Sequence, residues 1–116
     1  MSKEWDPENV FEVLGNEAVR RILALAAVEP VSAQEIADHL DASEATIYRQ
    51  IDACEQYDLL RADRRIDEAG NHYEVYETVL ERACVEVTPG EIELDITLRR
   101  DVLDQFEDPP VDDETP

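Results

Sequence analysis

The sequence predicts an α+β fold, mainly helical with β-hairpins, and three observations carry that expectation. The first half places apolar residues at helical spacing between good capping residues. From about residue 60 the apolar period shortens from 3.6 to 2. Two turns centred on Gly70 and Gly90 then divide the second half into hairpins.

The elements follow in order. Asp6-Pro7-Glu8 is a helix start, with Asp as N-cap, Pro at the first helical position and acid in the first turn. That helix carries Val10, Phe11 and Leu14 and stops at Gly15. Asn16 is suited to cap the next, in which Val19, Ile22, Leu23 and Ala26 form an i, i+3, i+4, i+7 stripe before Glu29-Pro30 ends it. "SAQE" (Ser32 to Glu35) is a capping box, and the short helix behind it buries Ile36, Ala37 and Leu40. Asp41-Ala42-Ser43 forms a three-residue turn, with Ser43 as N-cap of a fourth helix at about 43–57. Two short helices joined so tightly form a helix-turn-helix.

Beyond it, "LLRADRRID" and "HYEVYETV" read as strands joined by "EAGN", where Gly70-Asn71 suits positive backbone angles. Thr88-Pro89-Gly90-Glu91 reads as a type II turn between a strand holding Ala83, Val85 and Val87 and the alternating "EIELDITL". The last strand places Ile92, Leu94, Ile96 and Leu98 on one face, as core or as a surface buried against a second chain. Leu98, Val102, Leu103 and Phe106 return to helical spacing, which predicts a short terminal helix. One domain is expected over residues 1–106; residues 107–116, with five acids, three prolines and no base, read as a disordered acidic tail.

Charge dominates the composition. Thirty acids face ten bases, a formal net charge of -20, and Lys3 is the single lysine beside nine arginines. Dense carboxylates keep a surface hydrated at molar salt, where the Debye length is ~3 Å. The composition resembles that of proteins from the salt-saturated cytoplasm of halophilic archaea. Cys54 and Cys84 make no disulfide framework, and "MSKEWDPENV" lacks the basic and apolar regions of a secretory signal, so a cytoplasmic, non-membrane protein is expected.

Helix, helix, capped helix, tight turn, helix and hairpin is the order of a winged helix-turn-helix, here with a C-terminal β-hairpin and the short terminal helix added. "VLGNEAVRRILALA", "SAQEIADHLDASEATIYRQIDACEQYDLL" and "RADRRIDEAGNHYEVYE" resemble the second helix, helix-turn-helix and wing of ArsR-like transcriptional regulators. The resemblance covers roughly residues 10–79; residues 80–116 do not match the family's dimerisation helix. It implies a sequence-specific DNA-binding regulator that meets double-stranded DNA as a homodimer, with its effector unidentified.

The residues themselves agree. On the fourth helix Ile47, Ile51 and Cys54 share an inward face, leaving Ala45, Arg49, Asp52 and Ala53 opposite. The candidate DNA-binding residues are Ser43, Glu44, Ala45, Thr46, Tyr48, Arg49 and Gln50, near the end of this helix that reaches base edges in the major groove. Arg49 suits a guanine, Gln50 an adenine, and Thr46 or Tyr48 a phosphate or thymine methyl. In the wing, about 61–79, Arg61, Arg64 and Arg65 against Asp63 give a local charge of +2, suited to the backbone or the minor groove.

Other chemistries have weaker support. "EIADHL" holds no cysteine, "LRRDVLDQFED" holds no histidine, and His39 and His72 are isolated, so neither a metal nor another cofactor is expected. Three glycines make no phosphate loop and no nucleophile–base pair stands out, so an enzyme is not expected. Cys54 reads as a buried structural thiol. Cys84, on the strand face opposite Ala83, Val85 and Val87, is the candidate redox residue, set against a semi-buried structural role. Two rival functions stay open: a winged-helix protein-interaction module of the transcription machinery, and a ligand- or redox-gated sensor.

Overall fold

The computed structural model describes residues 7–99, among which four helices and two small antiparallel sheets form a mixed α+β architecture. The N-cap expected at Asp6, the terminal helix expected around Val102, Leu103 and Phe106, and the acidic tail from 107 lie outside those residues. Among the described residues no helix is long and apolar enough to cross a membrane.

α1 (Pro7–Leu14) and α2 (Glu17–Val28) meet at Gly15, whose amide bonds the Phe11 carbonyl at 2.8 Å. The Asn16 side chain caps α2, accepting from the amides of Ala18 and Val19. The α2 stripe of Val19, Ile22, Leu23 and Ala26 is buried along its length. A two-residue strand that the sequence did not signal, β1 (Val31–Ser32), follows Pro30. Two residues are too few to show a period.

α3 (Ala33–Leu40) begins with the expected capping box, the Ser32 amide bonding Glu35 Oε1 at 2.9 Å and the Glu35 amide bonding Ser32 Oγ at 3.2 Å. It ends at Asp41, which adopts a left-handed conformation with φ 56°. α4 (Glu44–Gln56) also ends without glycine. There Asp58 takes φ 62°, its amide bonds the Glu55 carbonyl, and the Leu59 amide bonds Cys54 O at 2.9 Å. These two bonds form a Schellman stop, and the fully buried Leu59 supplies its apolar contact.

β2 (Leu60–Ile66) and β3 (His72–Thr78) pair antiparallel, and β1 joins the other side of β3 to give the order β1-β3-β2. Their loop is organised by Asp67, whose Oδ1 accepts from the amides of Ala69 and Asn71. Gly70 has the expected positive φ; Asn71 does not. The core sits between this sheet and the helices, with Val10, Ile22, Ile36, Ile47, Ile51, Cys54 and Leu59 at its centre. Each such aliphatic side chain contributes roughly 1.5–3 kcal/mol by leaving water. Thr78, the buried polar side chain among the described residues, donates its hydroxyl to Leu23 O at 2.7 Å and ties β3 to α2.

β4 (Leu80–Thr88) and β5 (Glu91–Leu98) form a separate hairpin whose turn has Gly90 at φ 95°, as the Pro-Gly pair predicts. The register pairs Ala83 with Ile96, Val85 with Leu94 and Val87 with Ile92. A register shift between Leu80 and Arg82 inserts one residue, so Leu80, paired with Leu98, joins that same apolar face. Leu80, Leu94 and Ile96 pack on the core, whereas Ile92 is 58% exposed. The stripe expected on this strand is therefore buried only at its base.

Candidate nucleic-acid interface

The turn between α3 and α4 fixes one helix relative to the other. The Ala42 amide bonds the Ala37 carbonyl at 3.1 Å, so the chain leaves α3 in a closed loop. Ser43 then caps α4: its Oγ accepts from the Thr46 amide at 3.1 Å and donates to Thr46 Oγ1 at 3.0 Å. The remaining amides of the first turn carry partial positive charge toward solvent.

α4 divides as its sequence implies. Ile47, Ile51 and Cys54 are buried, while Glu44, Ala45, Arg49 and Asp52 are exposed on the outward side. Ala53 and Gln50 are half-buried. Thr46 is half-buried as well, lining a cleft with Glu17, Ala18 and Arg21 of α2. Tyr48 is 46% exposed and turns to the other side, toward the β2–β3 hairpin. The outward surface of α4 is thus narrower than the candidate set, and centres on Ala45 and Arg49.

Between the first turns of α3 and α4 and the β2–β3 loop lies an open cleft of about 460 Å³. Gln34, His72 and Tyr73 border it with Glu44 and Tyr48. The sequence did not single out Gln34 or Tyr73 and noted His72 only as an isolated histidine; their placement opposite α4 across the fold brings all three in. Asp67 and Glu74 also line the cleft, so its charge is negative.

The three arginines of β2, Arg61, Arg64 and Arg65, do not form one patch. Strand alternation places Arg64 on the face shared with Glu74 and Tyr76, while Arg61 and Arg65 lie on the reverse face. Arg64 is paired in register with Glu74, and Arg61 with Glu77. The Arg65 Nε bonds Asp63 Oδ2 at 3.1 Å. Both side chains of that pair are about half exposed, so the bond restrains geometry more than it stabilises.

Behind the cleft, α4 and β3 confine a group of ionisable side chains. Burial, and then the Asp52 and Glu74 carboxylates, hold the Glu55 carboxyl above its ordinary range. The Tyr76 hydroxyl donates to Glu74 Oε1 at 3.1 Å; burial chiefly, with that bond and the nearby acids, pushes its pKa far above the usual phenol value. Burial likewise raises the Cys54 thiol to about 12, so it stays protonated and behaves as a small apolar side chain. Cys84 is exposed, not semi-buried, and is paired in register with Asp95. His39 and His72 lie in different parts of the surface, and the His39 Nδ1 is 3.0 Å from Glu35 O.

No protein-family model matches the chain, and no curated protein matches it. The ArsR-like resemblance therefore rests on the residues quoted for it.

Proposed function

We propose that the chain is a winged helix-turn-helix, sequence-specific DNA-binding transcriptional regulator of ArsR-like type, acting as a homodimer in a high-salt cytoplasm. The observation that carries the reading is the division of α4. Its inward face is locked by Ile47, Ile51 and Cys54, while its N-terminal half offers Ala45 and Arg49 to solvent behind a Ser43 cap. Small Ala45 permits close approach, Arg49 supplies the bidentate donor that suits a guanine, and the first-turn amides suit a phosphate. The β2–β3 hairpin that follows the two-helix unit, with β1 on the far side of β3, agrees with a wing beside a reading helix. Arg64 and Arg65 then act on the DNA backbone, exchanging carboxylate neighbours for phosphate. At molar salt only near-contact charges count, so local geometry outweighs the net charge of -20.

Chromatin immunoprecipitation with sequencing, in the native high-salt cell, tests the reading. Discrete promoter peaks that vanish with Arg49→Ala are expected; a flat profile for the unaltered chain sinks it.

One observation favours a second reading, a protein-interaction module. Each wing arginine has a carboxylate beside it or opposite it, and Glu44, Asp67 and Glu74 give the cleft next to α4 a negative charge suited to a basic partner. On that reading Arg49→Ala and Arg64→Ala leave function intact.

A further inference from the structure

The β4–β5 hairpin leaves an apolar surface without cover. Its inner half is anchored through Leu80, Leu94 and Ile96, but its outer half leaves Val85 56%, Val87 75% and Ile92 58% exposed. These three side chains lie on one face, since Val85 pairs with Leu94 and Val87 with Ile92. A two-stranded sheet exposed on both sides is marginal in water unless something packs on it.

We infer that this arm is a self-association surface, packed face to face with the arm of a second copy of the chain. The charge distribution selects that occupant. From Ala83 outward the apolar face carries no ionisable group, whereas the opposite face carries Glu86, Glu91, Glu93 and Asp95, with Arg82 the one base near its foot. A basic partner has every reason to choose the carboxylate face and nothing to pair with on the apolar one. A second copy fits the apolar face by the same surface on both sides, in a two-fold contact. Stacked sheets then sit ~10 Å apart with both sets of carboxylates turned outward, so two chains of charge -20 meet where neither is charged.

The size of the surface sets the strength of the contact. Val85, Val87 and Ile92 expose on the order of 200 Å² of apolar area per copy. Even with Leu94, Ile96 and Leu98 added, the total falls below the ~1,200 Å² of a standard stable interface. The arm dimer is accordingly weak, dissociates on dilution, and tightens as salt screens the chains and strengthens apolar burial. The inference deepens the homodimer of the proposed function by giving it an interface, yet its test uses no DNA and stands or falls separately.

Sedimentation equilibrium of the full chain, from about 10 μM to about 1 mM in ~2 M KCl, reads the outcome. The mass is expected to rise from monomer to dimer across that range, and to rise less in ~0.2 M KCl. The double variant Val87→Thr, Ile92→Thr keeps β-branched residues at exposed positions and is expected to need at least tenfold more protein to dimerise. An independent readout uses single cysteines in a Cys84→Ser background: Val87→Cys is expected to cross-link between copies under oxidised glutathione, and Glu86→Cys, on the opposite face, is not. A chain that stays monomeric at ~1 mM overturns the inference and leaves the face to another occupant. So does a Thr double variant that dimerises like the unaltered chain, or equal cross-linking from both faces.

Discussion

Ser43 has two separable tasks in the proposed interface, capping α4 and leaving its first turn open to a phosphate. Ser43→Ala removes both bonds of the cap, the one from the Thr46 amide at 3.1 Å and the one to Thr46 Oγ1 at 3.0 Å. The site is exposed, so water replaces the lost acceptor and no desolvation penalty is added. The cost is then near the middle of the range for N-caps, ~1 kcal/mol, which lowers the melting temperature by about 4–8 °C in a domain of this size. Ser43→Asp keeps an acceptor for the Thr46 amide and adds a charge that favours the helix N-terminus, so stability stays within ~0.5 kcal/mol. The same carboxylate occupies the place of a phosphate oxygen, and DNA affinity is expected to fall more than tenfold. Melting followed by circular dichroism reads the first quantity. Fluorescence anisotropy with a DNA fragment recovered by chromatin immunoprecipitation reads the second. If Ser43→Asp melts normally and also binds that DNA normally, the first turn of α4 does not face the backbone and the docking argument is refuted.

Three further outcomes follow from the geometry. Glu55 has a raised carboxyl pKa, so its favourable effect is complete below the unfolded value and is lost as pH rises through the folded one. Glu55→Gln is therefore expected to stabilise the chain at pH 7 by under ~1 kcal/mol and to make no difference near pH 3, checked by denaturant titration at both pH values. A thiol reagent at pH 8 is expected to label one cysteine of the folded chain, Cys84, and to reach Cys54 only after denaturation; mass spectrometry of the labelled peptides decides. Because self-repulsion at a net charge of -20 is relieved by screening, the melting temperature is expected to climb between about 0.1 and about 2 M KCl, and a flat or falling profile would count against adaptation to salt.

The helical half was legible because its signals are local. The α2 stripe, the Asn16 cap, the Ser32–Glu35 box and the inward face of α4 each involve residues within one or two turns, and all appear as read. Hairpin positions were equally local, set by Gly70 and Gly90. What escaped depends on pairing across the chain. The extra residue between Leu80 and Arg82 breaks strict alternation, so Leu80 could not be assigned to the face of Val85 and Val87 before the register was known. Arg61, Arg64 and Arg65 look like one cluster in sequence, and only alternation with Glu77, Glu74 and Tyr73 opposite reveals two faces. The cleft residues His72 and Tyr73 are 24 or more positions from Tyr48 in sequence and meet it only through tertiary folding.

Both ends of the segment that carries α4 are set by aspartates in the left-handed region, Asp41 before it and Asp58 after it. Most chains put glycine there, because any side chain costs energy at positive φ, though less for aspartate than for most. Here the backbone accepts mild strain so that each bend of the chain can carry a hydrated carboxylate. A glycine would leave the joint supple, whereas a side chain narrows the angles it can adopt. The same two carboxylates therefore add to the acidity of the surface and stiffen the mounting of α4, linking side-chain charge to the angle at which one helix is held.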